Sequence, residues 1–119
     1  MIFTETQIKG VYTIELEKLN DERGFFARSW DKNEFGKNGL DADLAQCSIS
    51  FNKLKGTIRG IHYQDVPFEE SKLVRCTRGR LFDVIIDLRP NSASYTKWLS
   101  MELSEHDLNM IFIPKGCAH

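Results

Sequence analysis

Residues 81–88, LFDVIIDL, constrain the fold more than any other stretch of this chain. They are rich in β-branched and aromatic side chains, with no Pro or Gly to interrupt them, and so read as a strand. The continuous apolar centre predicts burial on both faces. Short strand signals recur around it about every ten residues. Tyr12, Ile14 and Leu16 alternate with Thr13, Glu15 and Glu17, the period of a half-buried strand. Residues 25–30 (FFARSW), 45–51 (AQCSISF), 57–64 (TIRGIHYQ) and 72–77 (KLVRCT) read the same way. The last of these runs into Arg78-Gly79-Arg80, which reads as a hairpin turn. Leu99, Met101 and Leu103 share one face of a further strand, and residues 110–113 (MIFI) stop at Pro114. Only residues 31–38 compete as a helix, with Asp31 as N-cap and Gly39 as the stop. Some seven to nine short strands predict an all-β sandwich or barrel and leave no room for βαβ units.

Length and charge narrow the class of function. The chain has 119 residues, enough for one domain with a modest core. Its formal charge of −1 lacks the basic excess of a nucleic-acid or membrane-surface binder. No apolar run reaches the length of a membrane span, and the first residues, MIFTETQIKG, have neither the basic nor the apolar region of a signal peptide. Cys47, Cys76 and Cys117 are far apart and odd in number. They read as buried, reduced thiols of a cytoplasmic protein. One feature is out of place: the chain stops at IPKGCAH, inside a turn that follows a strand. We therefore expect closing strands to be missing.

Three chemistries can be weighed on the residues. His62, Gln64 and His119 could converge on a metal, but Gln64 stands where a strong ligand would be expected and His106 lies in an acidic turn, so no metal site is expected. No Ser, Cys or Thr sits in a recognisable nucleophile setting. The third is proton transfer on an anionic substrate. Arg59, Lys72, Arg75 and Arg23 supply the cations that phosphates need, and a neutral imidazole such as that of His62 beside them is the side-chain type suited to a general base. Arg59 and His62 are three apart, so an ideal strand would point them to opposite faces; a bulge at Gly60 would bring both inward. Against this stands a plainer reading, with solvated cations and a satisfied core histidine. The residues alone leave both open.

A resemblance bears on the choice. The segments DERGFF (21–26), QCSISFNKLKGTIRGIHYQ (46–64), KLVRCTRGRLFDVIIDLR (72–89) and IPKGCAH (113–119) are similar, in order and spacing, to the dTDP-4-dehydrorhamnose 3,5-epimerase family of deoxysugar biosynthesis. The resemblance implies a cupin-type jelly-roll barrel that forms a homodimer. It implies a nucleoside-diphosphate 4-keto-6-deoxyhexose as substrate, no cofactor, and a cytoplasmic setting without nucleic-acid or membrane partners. Both reacting carbons, 3 and 5, lie beside a ketone, so a base can remove each proton if the enolate is stabilised. The resemblance gives His62 the role of that base and Lys72 a place near the sugar oxygen, where its charge would stabilise the enolate. It puts Arg23, Phe26, Arg59 and His119 in contact with substrate, and it puts Gln46, Cys47 and Ser48 in or beside a substrate-contacting segment.

Two departures from the family pattern stand out. Where the family commonly has Glu after GFFx, this chain has Arg28. A carboxylate accepts hydrogen bonds and a guanidinium only donates them, so Arg28 could favour cytosine over thymine and hence a CDP-sugar. The family also continues beyond the IPxGxAHG segment, and its general-acid tyrosine and base-orienting aspartate come from that part. We therefore expect residues 1–119 to be the N-terminal two thirds of one cupin-like domain. Two other readings are a catalytically impaired nucleotide-sugar-binding cupin and a metal cupin.

Overall fold

The computed structural model describes all residues from Met1 to His119. Nine short strands and one helix follow one another as β1 (Ile2–Glu5), β2 (Tyr12–Glu15), β3 (Leu19–Asp21), β4 (Gly24–Phe26), α1 (Lys32–Lys37), β5 (Lys72–Arg75), β6 (Arg80–Asp87), β7 (Trp98–Ser104), β8 (Met110–Ile113) and β9 (Cys117–Ala118). One sheet runs in the order β1-β2-β8-β5, a second in the order β7-β6-β9, and β3 and β4 form a separate hairpin. Every pairing is antiparallel. The chain is all-β, as its spacing of strand signals predicts. No helix is long and apolar enough to cross a membrane.

Two apolar clusters hold the layers together. Ile8, Val11, Cys76, Ile85, Leu103, Ile111, Ile113 and Cys117 pack between the two sheets. Ile14, Phe35, Leu40, Met110 and Phe112 pack between the first sheet and α1. β8 serves both, because side chains alternate along a strand. Ile111 and Ile113 enter the first cluster, while Met110 and Phe112 enter the second. Burial on both faces, expected of residues 81–88, therefore belongs to MIFI instead. β6 is one-sided: Asp83, Ile85 and Asp87 are buried, whereas Phe82 is 70% exposed. Each fully buried Ile, Phe or Met contributes roughly 1.5–3 kcal/mol.

The helix is set by its ends. Asp31 is the N-cap, its side chain accepting from the backbone N–H of Asn33 and Glu34 at 2.9 and 3.0 Å. Gly39 has φ +70°. The Leu40 N–H returns to the Phe35 carbonyl and the Gly39 N–H to the Gly36 carbonyl, both at 3.0 Å, the paired bonds that close a helix with a left-handed residue. Phe35, the one buried residue of α1, is thereby locked into the second cluster.

Four local expectations do not hold. The strand expected at 25–30 ends at Phe26, because the chain then turns into the Asp31 cap. Arg78-Gly79-Arg80 is no hairpin turn: β5 pairs with β8 and β6 with β7, so this turn carries the chain from one sheet to the other. Cys76 and Cys117 are buried but Cys47 is exposed; all three are free. Residues 45–51 and 57–64 form no strand. Their period is right, but a strand is a relation between neighbours, and residues 41–61 make no backbone–backbone hydrogen bond.

Candidate active site

His62 is the first residue after that segment to find a main-chain partner. Its N–H donates to the His119 carbonyl at 2.7 Å, and the His119 N–H donates back to the His62 carbonyl at 3.0 Å. This exchange is the rung of an antiparallel pair. β9 fixes the other side of the rung. Ala118 stands opposite Ile86 and Cys117 opposite Asp87 on β6. His119 is the next residue along, so its side chain falls on the buried face of β6 that carries Asp83. Its Nδ1 lies 3.2 and 3.3 Å from the two Asp83 carboxylate oxygens. With a proton on Nδ1 the ring donates to Asp83 and keeps Nε2 as an acceptor. A buried carboxylate that fixes the tautomer and orientation of an imidazole is a recurrent catalytic device.

Gly60 makes the rung possible. Its φ is +89°, and a side-chain carbon added there would stand 2.9 Å from the His119 carbonyl oxygen and 3.1 Å from the His62 nitrogen. Both contacts are with backbone atoms, which cannot swing away. The bulge expected at Gly60 is therefore replaced by a close approach of two chain segments. Gly60→Ala should lower stability by about 1–3 kcal/mol through backbone strain, read as a lower urea midpoint with unchanged slope.

The other expected residues fall into separate settings. Lys72 opens β5 opposite Ile113 and forms an ion pair with Glu70. Arg59 donates from Nε to Asn52 Oδ1 at 2.6 Å and from Nη2 to the Phe51 carbonyl at 3.3 Å, tying residues 51–52 to the strand-like run that carries His62. Gln46, Cys47 and Ser48 are exposed. Arg23, at the tip of the β3–β4 hairpin, reaches Asp21 with Nη2 at 2.6 Å and is otherwise in solvent. Phe26 and Arg28 line a shallow cleft of about 320 Å³ with Met1, Glu17, Leu19, Ala27 and Glu34. Arg28 Nη1 donates to Asp31 Oδ2 at 3.1 Å. The backbone N–H of Glu34, with help from Arg28, holds the Asp31 carboxyl below its usual range. No hydrogen bond joins this hairpin group to the His62–His119–Asp83 group. No three His, Cys, Asp or Glu side chains lie close enough together to hold a metal ion.

Asp83 is a functional candidate that sequence reasoning passed over, whereas Gly60 was singled out but for a bulge rather than for the close approach it makes. Asp83 stood inside the run read as an apolar core. The available signal was its spacing from Asp87, four residues apart and therefore on one face with Ile85.

Among known families, residues 5–119 match the model described as dTDP-4-dehydrorhamnose 3,5-epimerase. The chain belongs to this family. A dTDP-4-dehydrorhamnose 3,5-epimerase of Sinorhizobium fredii is 43% identical over 119 residues, which cover 100% of this chain and 61% of that protein. The crystal structure of the Elizabethkingia anophelis dTDP-4-dehydrorhamnose 3,5-epimerase matches with a TM-score of 0.96 at 37% identity, covering 100% of this chain and 65% of that one. The Bacillus anthracis structure, with TDP and PPi bound, matches with a TM-score of 0.92 at 32% identity, covering 99% and 67%. The likeness carries the cupin jelly-roll class over to this chain. The chain spans about three fifths of the length of the curated relatives it matches.

Proposed function

We propose that this chain serves the epimerisation of nucleoside-diphosphate 4-keto-6-deoxyhexoses, by proton removal and return beside the ketone without a cofactor. The observation that carries the reading is His62 itself. It is fixed by its own backbone to a second histidine whose ring is oriented by Asp83, in a member of a sugar-nucleotide epimerase family. In the proposed step, the His62 imidazole takes the proton from carbon 3 or 5. The bonding pair moves through the carbonyl to leave an enolate on oxygen, and a proton delivered to the other face inverts the centre. Lys72, once it leaves Glu70, brings positive charge to the enolate oxygen. Arg23, Phe26, Arg28, Arg59 and the 46–48 segment contact the nucleotide and sugar, with His119 beside the reacting carbons. Residues 1–119 act as one cupin-like domain.

The working form is a homodimer in the cytoplasm. Supporting this, Ile49 and Ile58 are 93% and 91% exposed, within a run that also exposes Phe51, Leu54, Val66 and Phe68. An apolar surface of that kind is normally covered by another chain. Three free thiols suit a reducing compartment.

Solvent exchange tests the function directly. The chain is incubated in D₂O with dTDP-4-keto-6-deoxyglucose and separately with the CDP form, and label at carbons 3 and 5 is followed by NMR. Label entering either carbon is expected. A bound but unlabelled sugar would reduce the chain to a binding module. The same assay reads Arg28. Its donors suit N3 and O2 of cytosine, both acceptors, and suit thymine N3–H poorly. Arg28→Glu should therefore shift preference from the CDP to the dTDP substrate by about tenfold, the scale of one hydrogen bond to a charged group. An unchanged ratio would remove Arg28 from base selection.

A further inference from the structure

Arg89 lies outside the group of residues given any role above, yet it is built into the turn that presents His119. Its guanidinium forks onto Asp87, Nε to Oδ1 and Nη2 to Oδ2, both at 2.8 Å, and Nη2 also donates to the Lys9 carbonyl at 2.7 Å. Asp87 is fully buried and accepts as well from the Ser92 and Ser94 hydroxyls, each at 2.6 Å, and from the Arg89 N–H at 3.0 Å. The guanidinium is therefore held by three hydrogen bonds, two to the Asp87 carboxylate and one to the Lys9 carbonyl. The stem of Arg89 crosses Gly116: a side-chain carbon at Gly116 would stand 2.5 Å from Arg89 Cγ and 3.2 Å from Cδ. On its other side the turn at Gly10 closes in, with Pro114 Cγ 3.3 Å and Arg89 Nη1 3.7 Å from where a Gly10 side chain would begin. Gly10 and Gly116 have φ of +84° and +78°, so both turns are shaped to let this side chain through.

The consequence reaches the site along β9. The Leu88 N–H donates to the Gly116 carbonyl at 3.0 Å, and Cys117 then faces Asp87 in the ladder. The height of Gly116 above β6 is thus set by the Arg89 stem beneath it. His119, three residues on, inherits that height, and with it the reach of its Nδ1 to Asp83 and of its backbone to His62. We propose that Arg89, clamped by Asp87 and lying against Gly116, is the positioning residue for the His62–His119–Asp83 group. This rests on the reading of that group as the reacting site, but the geometry it predicts can be measured without substrate.

The test uses Arg89→Lys and Gly116→Ala in the ¹⁵N-labelled chain. Lys keeps a positive charge near Asp87 but can neither fork nor present the same stem. Ala at Gly116 meets the stem from the opposite side while every donor and acceptor of the Asp87 fork is still present. Amide hydrogen exchange reads local opening residue by residue. Both variants should accelerate exchange at the His62 and His119 N–H groups by about tenfold, a local opening made easier by roughly 1.4 kcal/mol. Amides of the β6–β7 pairing should keep their wild-type rates, and the hydrogen-bonded Nδ1 proton of His119 should broaden or shift. Three outcomes would overturn the proposal: acceleration spread evenly over β6 and β7, an unaltered rung in both variants, or loss of folding in both. Each would leave Arg89 as an ordinary structural residue. Deuterium uptake by the sugar, measured separately, decides the epimerase reading whichever way the exchange data fall.

Discussion

His62→Ala should slow deuterium uptake at carbons 3 and 5 of the 4-keto sugar by at least about a hundredfold, the lower end of what a positioned general base contributes. The variant isolates chemistry from structure, because His62 joins the fold through its backbone. Both bonds of the rung to His119 are main-chain bonds, and Ala keeps them. A melting temperature near that of the wild type is therefore expected beside the lost exchange. Asp83→Asn provides the graded comparison. It replaces the carboxylate facing His119 Nδ1 with an amide that can offer either an acceptor or a donor, so ring orientation becomes uncertain while His62 stays in place. Its loss of exchange should be smaller than that of His62→Ala. Equal rates for wild type and His62→Ala would move the base elsewhere, and a larger loss for Asp83→Asn would make His119 the proton-handling group.

The comparison between these two residues shows what the sequence could and could not reveal. His62 stands out locally, flanked by Gly60, Arg59 and an alternating apolar pattern. Its partner does not, because the rung joins positions 62 and 119, and no local period carries information across that separation. The helix was legible to the residue. Asp31 and Gly39 each carry their own capping chemistry, one at either end of the helix. β6 and β7 were legible as strands for the same local reason, since β-branched and alternating side chains mark them directly. Their faces were not. Asp83 and Asp87 look like interruptions in an apolar run, yet they point inward with Ile85 while Phe82 faces out. A buried acid can be recognised only by its partners, and those lie on other elements: His119 for Asp83, Arg89, Ser92 and Ser94 for Asp87. Residues 45–51 and 57–64 mark the opposite failure. Their strand period is plain, but period alone supplies no neighbouring edge.

The largest effect on stability is expected at Asp87. Burial by itself would raise this carboxyl. Hydrogen bonds from Arg89, Ser92 and Ser94 outweigh burial and hold it far below the usual carboxylate range. The Arg89 guanidinium is raised in turn, chiefly by its bond to Asp87. Asp87→Asn keeps the shape but removes the charge, and its amide must turn a donor toward a site already filled with donors. Breaking one half of a buried ion pair costs about 3–5 kcal/mol, enough to lower the melting temperature of a chain this size by on the order of 10 °C. The pH dependence has a definite sign. Because the folded carboxyl is depressed, its contribution is complete above the unfolded carboxylate value of about 3.9 and is lost as pH falls through the lower folded value. Urea unfolding of wild type and Asp87→Asn, run side by side from pH 7 to pH 2.5, should show a constant gap above about pH 4.5 that narrows below about pH 4. Added salt should leave most of the gap in place, since Asp87 is fully buried and a buried charge is poorly screened. A gap that closed at high salt, or one that widened on acidification, would mean that Asp87 acts as a surface charge and that the clamp on the Pro114–Gly116 turn has another source.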